Sequence, residues 1–231
     1  MKKLMTVFVM LPLFFAFVGC SGGGGGGSSS SDSDNLFSLI PENYYQPGYM
    51  ESYSITGTDT AGGRYDGGIF TNTRNKVTLD NGHSVTPIDF LFNLTNTANN
   101  TSISQLSTTY YDGDNNPFFQ QNKTTMVDYT PASIATLPDT AEIGTIGPLP
   151  TWAGSDGSVI SGNWSLEKNT SSGNLADLVT MSNMENASGQ ILIYQEITHT
   201  IDKDGIRKSI KITWRYPGTG ITTNLSGKKT S

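Results

Sequence analysis

The stretch that decides the fold is IRKSIKITWRY, residues 206–216. Its side chains alternate between two faces, as in a strand with one buried face. The apolar face holds Ile206, Ile210, Ile212, Trp214 and Tyr216. The other face holds Arg207, Ser209, Lys211, Thr213 and Arg215, and only Lys208 departs from the pattern. The sequence DKDG at 202–205 predicts the turn of a hairpin before this strand.

Similar alternation occurs along much of the chain. Residues 86–93, TPIDFLFN, predict a half-buried strand with Phe90 and Phe92 on its inner face. Residues 175–182 have a spacing that a helix could share, but the flanking Gly173 and Gly189 favour a strand. About ten such strands predict an all-β fold, a single antiparallel β-sandwich or an open β-barrel.

The region 130–158 differs from the rest in its content of proline and glycine. We expect it to be a long ordered loop that crosses between two sheets or closes a barrel end.

The N-terminus has the pattern of an export signal. Lys2 and Lys3 precede an apolar run at 4–18, which is shorter than the ~20 residues that span a membrane. The sequence FVGC at 17–20 resembles the lipobox of bacterial lipoproteins. That resemblance implies a signal peptide at 1–19 and a lipid on Cys20. Ser21 stands where aspartate would mark inner-membrane retention in that family, so it implies the outer membrane of the cell envelope.

The segment after the cysteine is rich in glycine and serine and cannot bury apolar surface. We therefore predict a lipidated tether at 20–35 and one β-rich domain at 36–231. The chain has a single cysteine, which excludes an internal disulfide.

Charge excludes one class of partner. Removal of residues 1–19 takes away two lysines, so twelve basic and twenty acidic side chains give a mature net charge of about −8. An acidic chain is poorly suited to phosphate backbones, and we expect no nucleic-acid partner.

The sequence shows no group of residues with a clear catalytic or metal-binding pattern. His83 follows a predicted turn, and His199 shares a strand face with isoleucines. No second histidine or cysteine lies at zinc-ligand spacing from either of them. Residues 112–116, DGDNN, begin like a calcium loop but continue with Pro117, and a hairpin turn explains them more simply. We predict no catalytic residues, no metal site and no cofactor.

One charge pattern could bind a partner. Arg207, Lys211 and Arg215 alternate on one predicted strand face and could contact an anionic lipid or an acidic protein. A solvated face that guards against edge-to-edge aggregation is the alternative, and we favour it.

These observations favour a monomeric, membrane-tethered and non-enzymatic protein that acts as a binding or structural component of the cell envelope. A glycan or an envelope protein would be its partner. A glycan-processing hydrolase is one alternative and would need two carboxylates at a set separation. An apolar-ligand carrier is the other, and would need an unfilled barrel interior lined by Phe90, Phe92, Ile193 and Ile212.

Overall fold

Residues 35–231, which the computed structural model describes, form sixteen β-strands and no helix. The strands are β1 (Leu36–Ser38), β2 (Met50–Asp59), β3 (Arg64–Thr73), β4 (Val77–Thr78), β5 (Ser84–Asn96), β6 (Thr101–Tyr111), β7 (Pro117–Asn122), β8 (Val127–Ser133), β9 (Thr140–Glu142), β10 (Ile146–Pro148), β11 (Thr151–Gly154), β12 (Val159–Lys168), β13 (Ala176–Glu185), β14 (Ile191–Ile201), β15 (Arg207–Tyr216) and β16 (Ile221–Lys229). The predicted signal peptide, Cys20 and all of the tether before residue 35 lie outside the described residues.

Twelve of the strands form a closed antiparallel barrel. Their order around it is β12, β11, β8, β7, β6, β5, β3, β2, β16, β15, β14 and β13. The ring closes because β12 pairs with β13 along its whole length and with β11 and β10 on its other edge. The all-β prediction is confirmed. The sandwich alternative is wrong, and the barrel is closed rather than open.

Alternating residues of the barrel strands fill the interior. In β5 the side chains of Ile88, Phe90, Phe92 and Leu94 are all buried, as predicted from their spacing. Residues 176–185 form strand β13, so the helical alternative for this region is wrong.

The two ends of the barrel are covered differently. At the end where β2 begins, residues 35–49 and 134–149 lie across the opening, and β1 pairs with β9. We call this the sealed end. The opposite end, where the turns at 60–63, 97–100 and 217–220 lie, we call the mouth. Part of the predicted loop at 130–158 thus covers a barrel end. The region is not one loop, however, because it contains β9, β10 and β11, and β11, on which Trp152 is buried, is a strand of the barrel wall.

A β-bulge at the start of β15 changes the predicted faces of that strand. Ile201 pairs with Arg207 while Thr200 pairs with Ser209, so Lys208 is an extra residue on this strand. Arg207 therefore points into the barrel at 1% exposure, whereas Ile206 is 40% exposed. The prediction that Arg207 shares an outer face with Lys211 and Arg215 is wrong, because the bulge shifts the alternation by one residue. Lys211 and Arg215 are exposed, as predicted.

Candidate functional site

The mouth encloses a cavity of about 600 Å³. It is lined by the β2–β3, β5–β6 and β15–β16 turns together with the adjoining strand ends. Clefts of 300–1,000 Å³ commonly hold small ligands, and barrel mouths are a frequent place for them. This cavity is the candidate site.

Asp59 organises the rim of the cavity. Its Oδ1 accepts hydrogen bonds from the backbone N–H groups of Ala61 and Gly63, both at 2.8 Å, and the Tyr65 hydroxyl donates to Oδ2. Burial by itself raises the pKa of Asp59, but these hydrogen bonds together lower it below its usual value. A Cβ at position 63 would lie 2.5 Å from Asp59 Oδ2, so a larger residue there would displace this carboxylate. The carboxylate is therefore ionised and held in place by its own turn.

Two tyrosines form the aromatic part of the lining. Burial raises the pKa of Tyr65, and Asp59 raises it further, while a hydrogen bond from the Asn96 side chain opposes the shift. Burial also raises the pKa of Tyr216, with smaller contributions from Tyr65 and Asp59. Both phenols stay protonated at neutral pH. Tyr65, at 4% exposure, is part of the buried core, and Tyr216 packs against that core.

Thr223 on β16 carries a buried polar group beside the cavity. It lines the cavity, is 1% exposed, and its Oγ1 has no hydrogen-bond partner among residues 35–231. A buried hydroxyl without a partner is unfavourable by about 1–3 kcal/mol. The hydroxyl is closed off from the open space of the cavity, so it offers no hydrogen bond to a ligand there.

The sealed end contains the other notable polar cluster. Glu51 Oε2 lies 2.7 Å from Arg207 Nη1, and Glu51 Oε1 accepts a 2.8 Å hydrogen bond from the Tyr53 hydroxyl. Lys229 Nζ lies 3.5 Å from Oε1, and the Arg207 guanidinium stacks over the Tyr44 ring at 4.9 Å. Burial alone lowers the pKa of Arg207, but Glu51 and the nearby tyrosines raise it by more. The pKa of Arg207 therefore lies above its usual value. The cluster is enclosed, and its residues contact one another rather than an open cavity.

The residues predicted from sequence are not brought together. Arg207 belongs to the sealed-end cluster, whereas Lys211 and Arg215 lie on the outer wall, where Arg215 is 3.9 Å from Glu196. His83 is exposed and packs against the ring of Phe118 at 5.0 Å. His199 is buried, as predicted.

The DGDNN segment forms the turn between β6 and β7. Asp112 Oδ1 accepts hydrogen bonds from the N–H groups of Asp114 and Asn116, at 2.9 and 2.8 Å. This carboxylate therefore closes the turn, in line with the hairpin interpretation. Across the described part of the chain, no group of three or more His, Cys, Asp or Glu side chains could hold a metal ion.

The four residues proposed to line an apolar-ligand cavity are packed together instead. Phe90, Phe92, Ile193 and Ile212 are at most 6% exposed and belong to one cluster of buried side chains. The interior at that level is filled by the protein itself.

Sequence reasoning missed Glu51 and the mouth residues. The burial of Glu51 could have been predicted from the alternation along β2, because Glu51 lies on the same strand face as Tyr53 and Ile55. The signal for the rim was an aspartate placed just before a glycine-rich turn, which favours side-chain capping of that turn.

Comparisons with known proteins assign no family. The sequence matches no protein-family model, and a search of the curated proteins finds none that matches it. Within residues 35–231, no helix is long and apolar enough to cross a membrane.

Proposed function

We propose that this protein is a non-enzymatic binding component of the bacterial cell envelope, tethered to the outer membrane by a lipid on Cys20, with its ligand site in the mouth of the barrel. The observation that carries the proposal is the cavity of about 600 Å³ at the mouth of the barrel. Binding needs only such a cavity, whereas catalysis would also need residues in defined chemical roles.

The position of the cavity suits a tethered receptor. The chain enters the described structure at the sealed end, where the N–H of Ile143 donates to the Asn35 carbonyl at 3.2 Å. A flexible tether at 20–35 would have an r.m.s. span of ~20 Å. The mouth lies at the other end of the barrel, so a tethered domain would keep it accessible.

The hydrolase alternative has weaker support. Glycoside hydrolysis ordinarily uses two carboxyl groups on either side of the bond that breaks. Among the described residues lining the cavity, Asp59 carries the single carboxylate, and it already accepts three hydrogen bonds. A second carboxylate in the cavity would be required for this chemistry.

A blocking variant tests the site. Ala61→Trp places a large ring at the rim of the cavity and keeps the backbone N–H that binds Asp59. Ala187→Trp is the matched control, because Ala187 is an exposed turn residue at the same barrel end but does not line the cavity.

The measurement is a thermal-shift screen of a library of small metabolites and envelope glycans against the wild type and both variants. We expect compounds that stabilise the wild type and Ala187→Trp but not Ala61→Trp. Compounds that stabilise all three proteins equally would place the ligand site elsewhere.

The anchor has its own test. Cys20→Ser should abolish incorporation of a fatty-acid analogue supplied to growing cells. Persistent labelling of that variant would contradict lipid attachment at Cys20.

A further inference from the structure

We infer that the barrel consists of two equivalent six-stranded halves, and that one wall of the mouth cavity is a hairpin extension found in the second half and not in the first. The first half comprises β2, β3 and β5–β8, and the second comprises β11–β16. The role of the extension in ligand binding rests on the proposed function, whereas the equivalence of the halves does not.

The strand pairings of the two halves share one register. Thr86 on β5 pairs with Tyr111 on β6, and Ala176 on β13 pairs with Ile201 on β14. Each residue of the second pair is numbered 90 higher than its counterpart, 176 against 86 and 201 against 111. The same offset relates β7 to β15. Three consecutive strands therefore correspond without an insertion or a deletion.

A β-bulge occurs at the same place in each half. Tyr111 pairs with Pro117, and Phe118 is the extra residue that follows. At the corresponding position Lys208 is the extra residue after Arg207, as described above. Bulges are specific features of a strand pair, so a shared bulge supports a common origin of the two halves.

The turns before these bulges are also equivalent. Asp202 Oδ1 accepts hydrogen bonds from the N–H groups two and four residues later, at 3.1 and 2.9 Å, as Asp112 Oδ1 does in its own turn. The fourth residue of each turn, Asn115 or Gly205, has a positive φ, of 60° and 74° respectively. The two aspartates therefore do the same structural work.

The amino-acid sequences agree with this correspondence. Residues 84–122 align with residues 174–212 without a gap. Gln105 and its counterpart Gln195 are both buried inside the barrel. Seven aligned positions hold the same residue in both halves, and in the first half these are Asn93, Asn96, Ile103, Gln105, Thr108, Asp112 and Asp114.

The rim aspartate of the cavity has a counterpart as well. The sequence GTD at 57–59 lies at the mouth end of β2, and GSD at 154–156 lies at the mouth end of β11. Asp59 caps the β2–β3 turn, and Asp156 Oδ1 accepts a 3.0 Å hydrogen bond from the N–H of Ser158 in the β11–β12 turn. Repeated units that pack against each other bury the apolar face that neither could bury alone.

The halves differ in the length of their last hairpin. By the shared register, Asn122 on β7 corresponds to Ile212 on β15. Four residues, 123–126, separate Asn122 from its partner on β8, whereas twelve, 213–224, separate Ile212 from its partner on β16. We call residues 213–224 the extension. The lining residues that β15 and β16 supply to the cavity all belong to it, and they are Tyr216, Thr219, Ile221 and Thr223.

An environment-sensitive fluorophore tests the extension without a ligand. Acrylodan is attached to Ala98→Cys in the full chain carrying Cys20→Ser, so that the introduced cysteine is the single thiol. Ala98 lines the cavity, whereas its counterpart Ser188 in the β13–β14 turn does not. We expect emission at a shorter wavelength from position 98 than from Ser188→Cys, because the cavity partly excludes water.

A trimmed variant then removes the wall. It lacks Arg215, Tyr216, Ile221 and Thr222, which form the two outermost pairs of the β15–β16 ladder, and it keeps the register of the remaining pairs. We expect its emission from position 98 to move to the wavelength seen at position 188. Unchanged emission, with a native circular dichroism spectrum, would overturn the assignment of the wall.

Tyr216→Ala keeps the length of the hairpin and gives a second measurement that does not depend on the deletion being tolerated. It should produce part of the same shift in emission. The absence of any shift in this variant would also overturn the assignment.

Paired substitutions test the equivalence of the halves. Asp112→Ala and Asp202→Ala should each lower the midpoint of thermal unfolding by about 2–4 °C, because each removes two hydrogen bonds from equivalent turns. Asp114→Ala and Asp204→Ala are the controls, because these exposed carboxylates lie in the same two turns. A loss at only one of the two capping aspartates would contradict the equivalence.

The ligand screen separates this inference from the proposed function. Compounds that stabilise the wild type should fail to stabilise the trimmed variant. If no compound stabilises the wild type, the proposed binding function is wrong, and the fluorophore still decides whether the extension forms the wall. If compounds stabilise both proteins equally although the fluorophore shows that the wall is lost, the extension does not form the ligand site.

Discussion

Glu51 at the sealed end and Thr223 at the mouth are both buried, but they differ in their hydrogen bonding. At the sealed end, Glu51 is 1% exposed and contacts Arg207, Tyr53 and Lys229. At the mouth, Thr223 is equally buried and its hydroxyl has no partner among the described residues. The partnered Glu51 stabilises the fold, whereas the unpartnered hydroxyl of Thr223 lowers its stability.

The difference also separates stability from binding. At the sealed end, Phe37, Leu39 and Leu137 are at most 1% exposed and close the barrel with apolar surface. At the mouth, turns surround an open cavity. We therefore expect substitutions at the sealed end to change mainly the free energy of unfolding, and those at the mouth to change mainly ligand affinity.

The largest effect should come from Arg207→Met. Removal of the guanidinium leaves Glu51 as a buried carboxylate without its closest cation. Breaking a buried ion pair in this way typically lowers the free energy of unfolding by about 3–5 kcal/mol. Urea denaturation of the variant and the wild type measures the difference.

Arg215→Met is the matched control for that experiment. The Arg215 side chain is 63% exposed and lies 3.9 Å from Glu196, so its ion pair is worth at most about 1 kcal/mol. Equal losses in the free energy of unfolding of the two variants would show that the buried Arg207–Glu51 pair stabilises the protein no more than the exposed pair does.

The second effect concerns acid stability at the sealed end. Burial, and then the Arg207 charge, hold the pKa of His199 well below its usual value. Below about pH 6.5 the unfolded chain takes up a proton at this residue and the folded chain does not, so stability falls as the pH falls. The slope for one such histidine approaches about 1.4 kcal/mol per pH unit.

Urea denaturation between pH 7 and pH 5 measures this slope. His199→Gln should reduce it, whereas His83→Gln at an exposed turn should leave it unchanged. If His199→Gln leaves the slope unchanged, the loss of stability at low pH does not come from His199.

Sequence alone predicted most of the wall of the barrel. The alternation at Ile88, Phe90, Phe92 and Leu94 predicts which side chains are buried, because each strand has one buried and one exposed face. It could not distinguish a closed barrel from a sandwich, since both bury alternate residues. That choice depends on the long-range pairing of β12 with β13 and β11.

The sealed-end ion pair could not be predicted because it depends on a bulge. Strict alternation places Arg207 outside, and a single extra residue at Lys208 reverses this. Lys208 did break the pattern, and that irregularity was the local trace of the bulge. The partner of Arg207, Glu51, lies 156 residues away in the sequence. No local sequence pattern therefore predicts their contact.

A smaller effect compares one threonine from each end. Thr73, at the sealed end, is 1% exposed and donates to the Tyr44 carbonyl at 2.6 Å. Thr73→Val should lower the free energy of unfolding by about 0.5–1.5 kcal/mol, because it removes a satisfied hydrogen bond. Thr223→Val removes a hydroxyl without a partner and should cause no loss, with a gain of up to about 1 kcal/mol. Parallel urea denaturation measures both, and a loss in Thr223→Val as large as in Thr73→Val would mean that the two ends do not differ in this way.

The smallest effect is expected on the outer wall of β15, which belongs to neither end. With Arg207 inside the barrel, the exposed cations of this strand are Lys208, Lys211 and Arg215. Lys208 pairs with Asp202 at 2.6 Å, which leaves Lys211 and Arg215 for an outside partner. At ~1 kcal/mol per cation near an anionic surface they would contribute ~2 kcal/mol, and millimolar binding already requires about 4 kcal/mol. The net charge of the chain, −6, opposes approach as well. A chain that begins at Ser21, and so lacks Cys20, should therefore fail to sediment with phosphatidylglycerol vesicles at 0.15 M salt. If it does sediment, and Lys211→Gln together with Arg215→Gln abolishes the effect, this wall is a docking surface for anionic lipid and binding is not confined to the mouth.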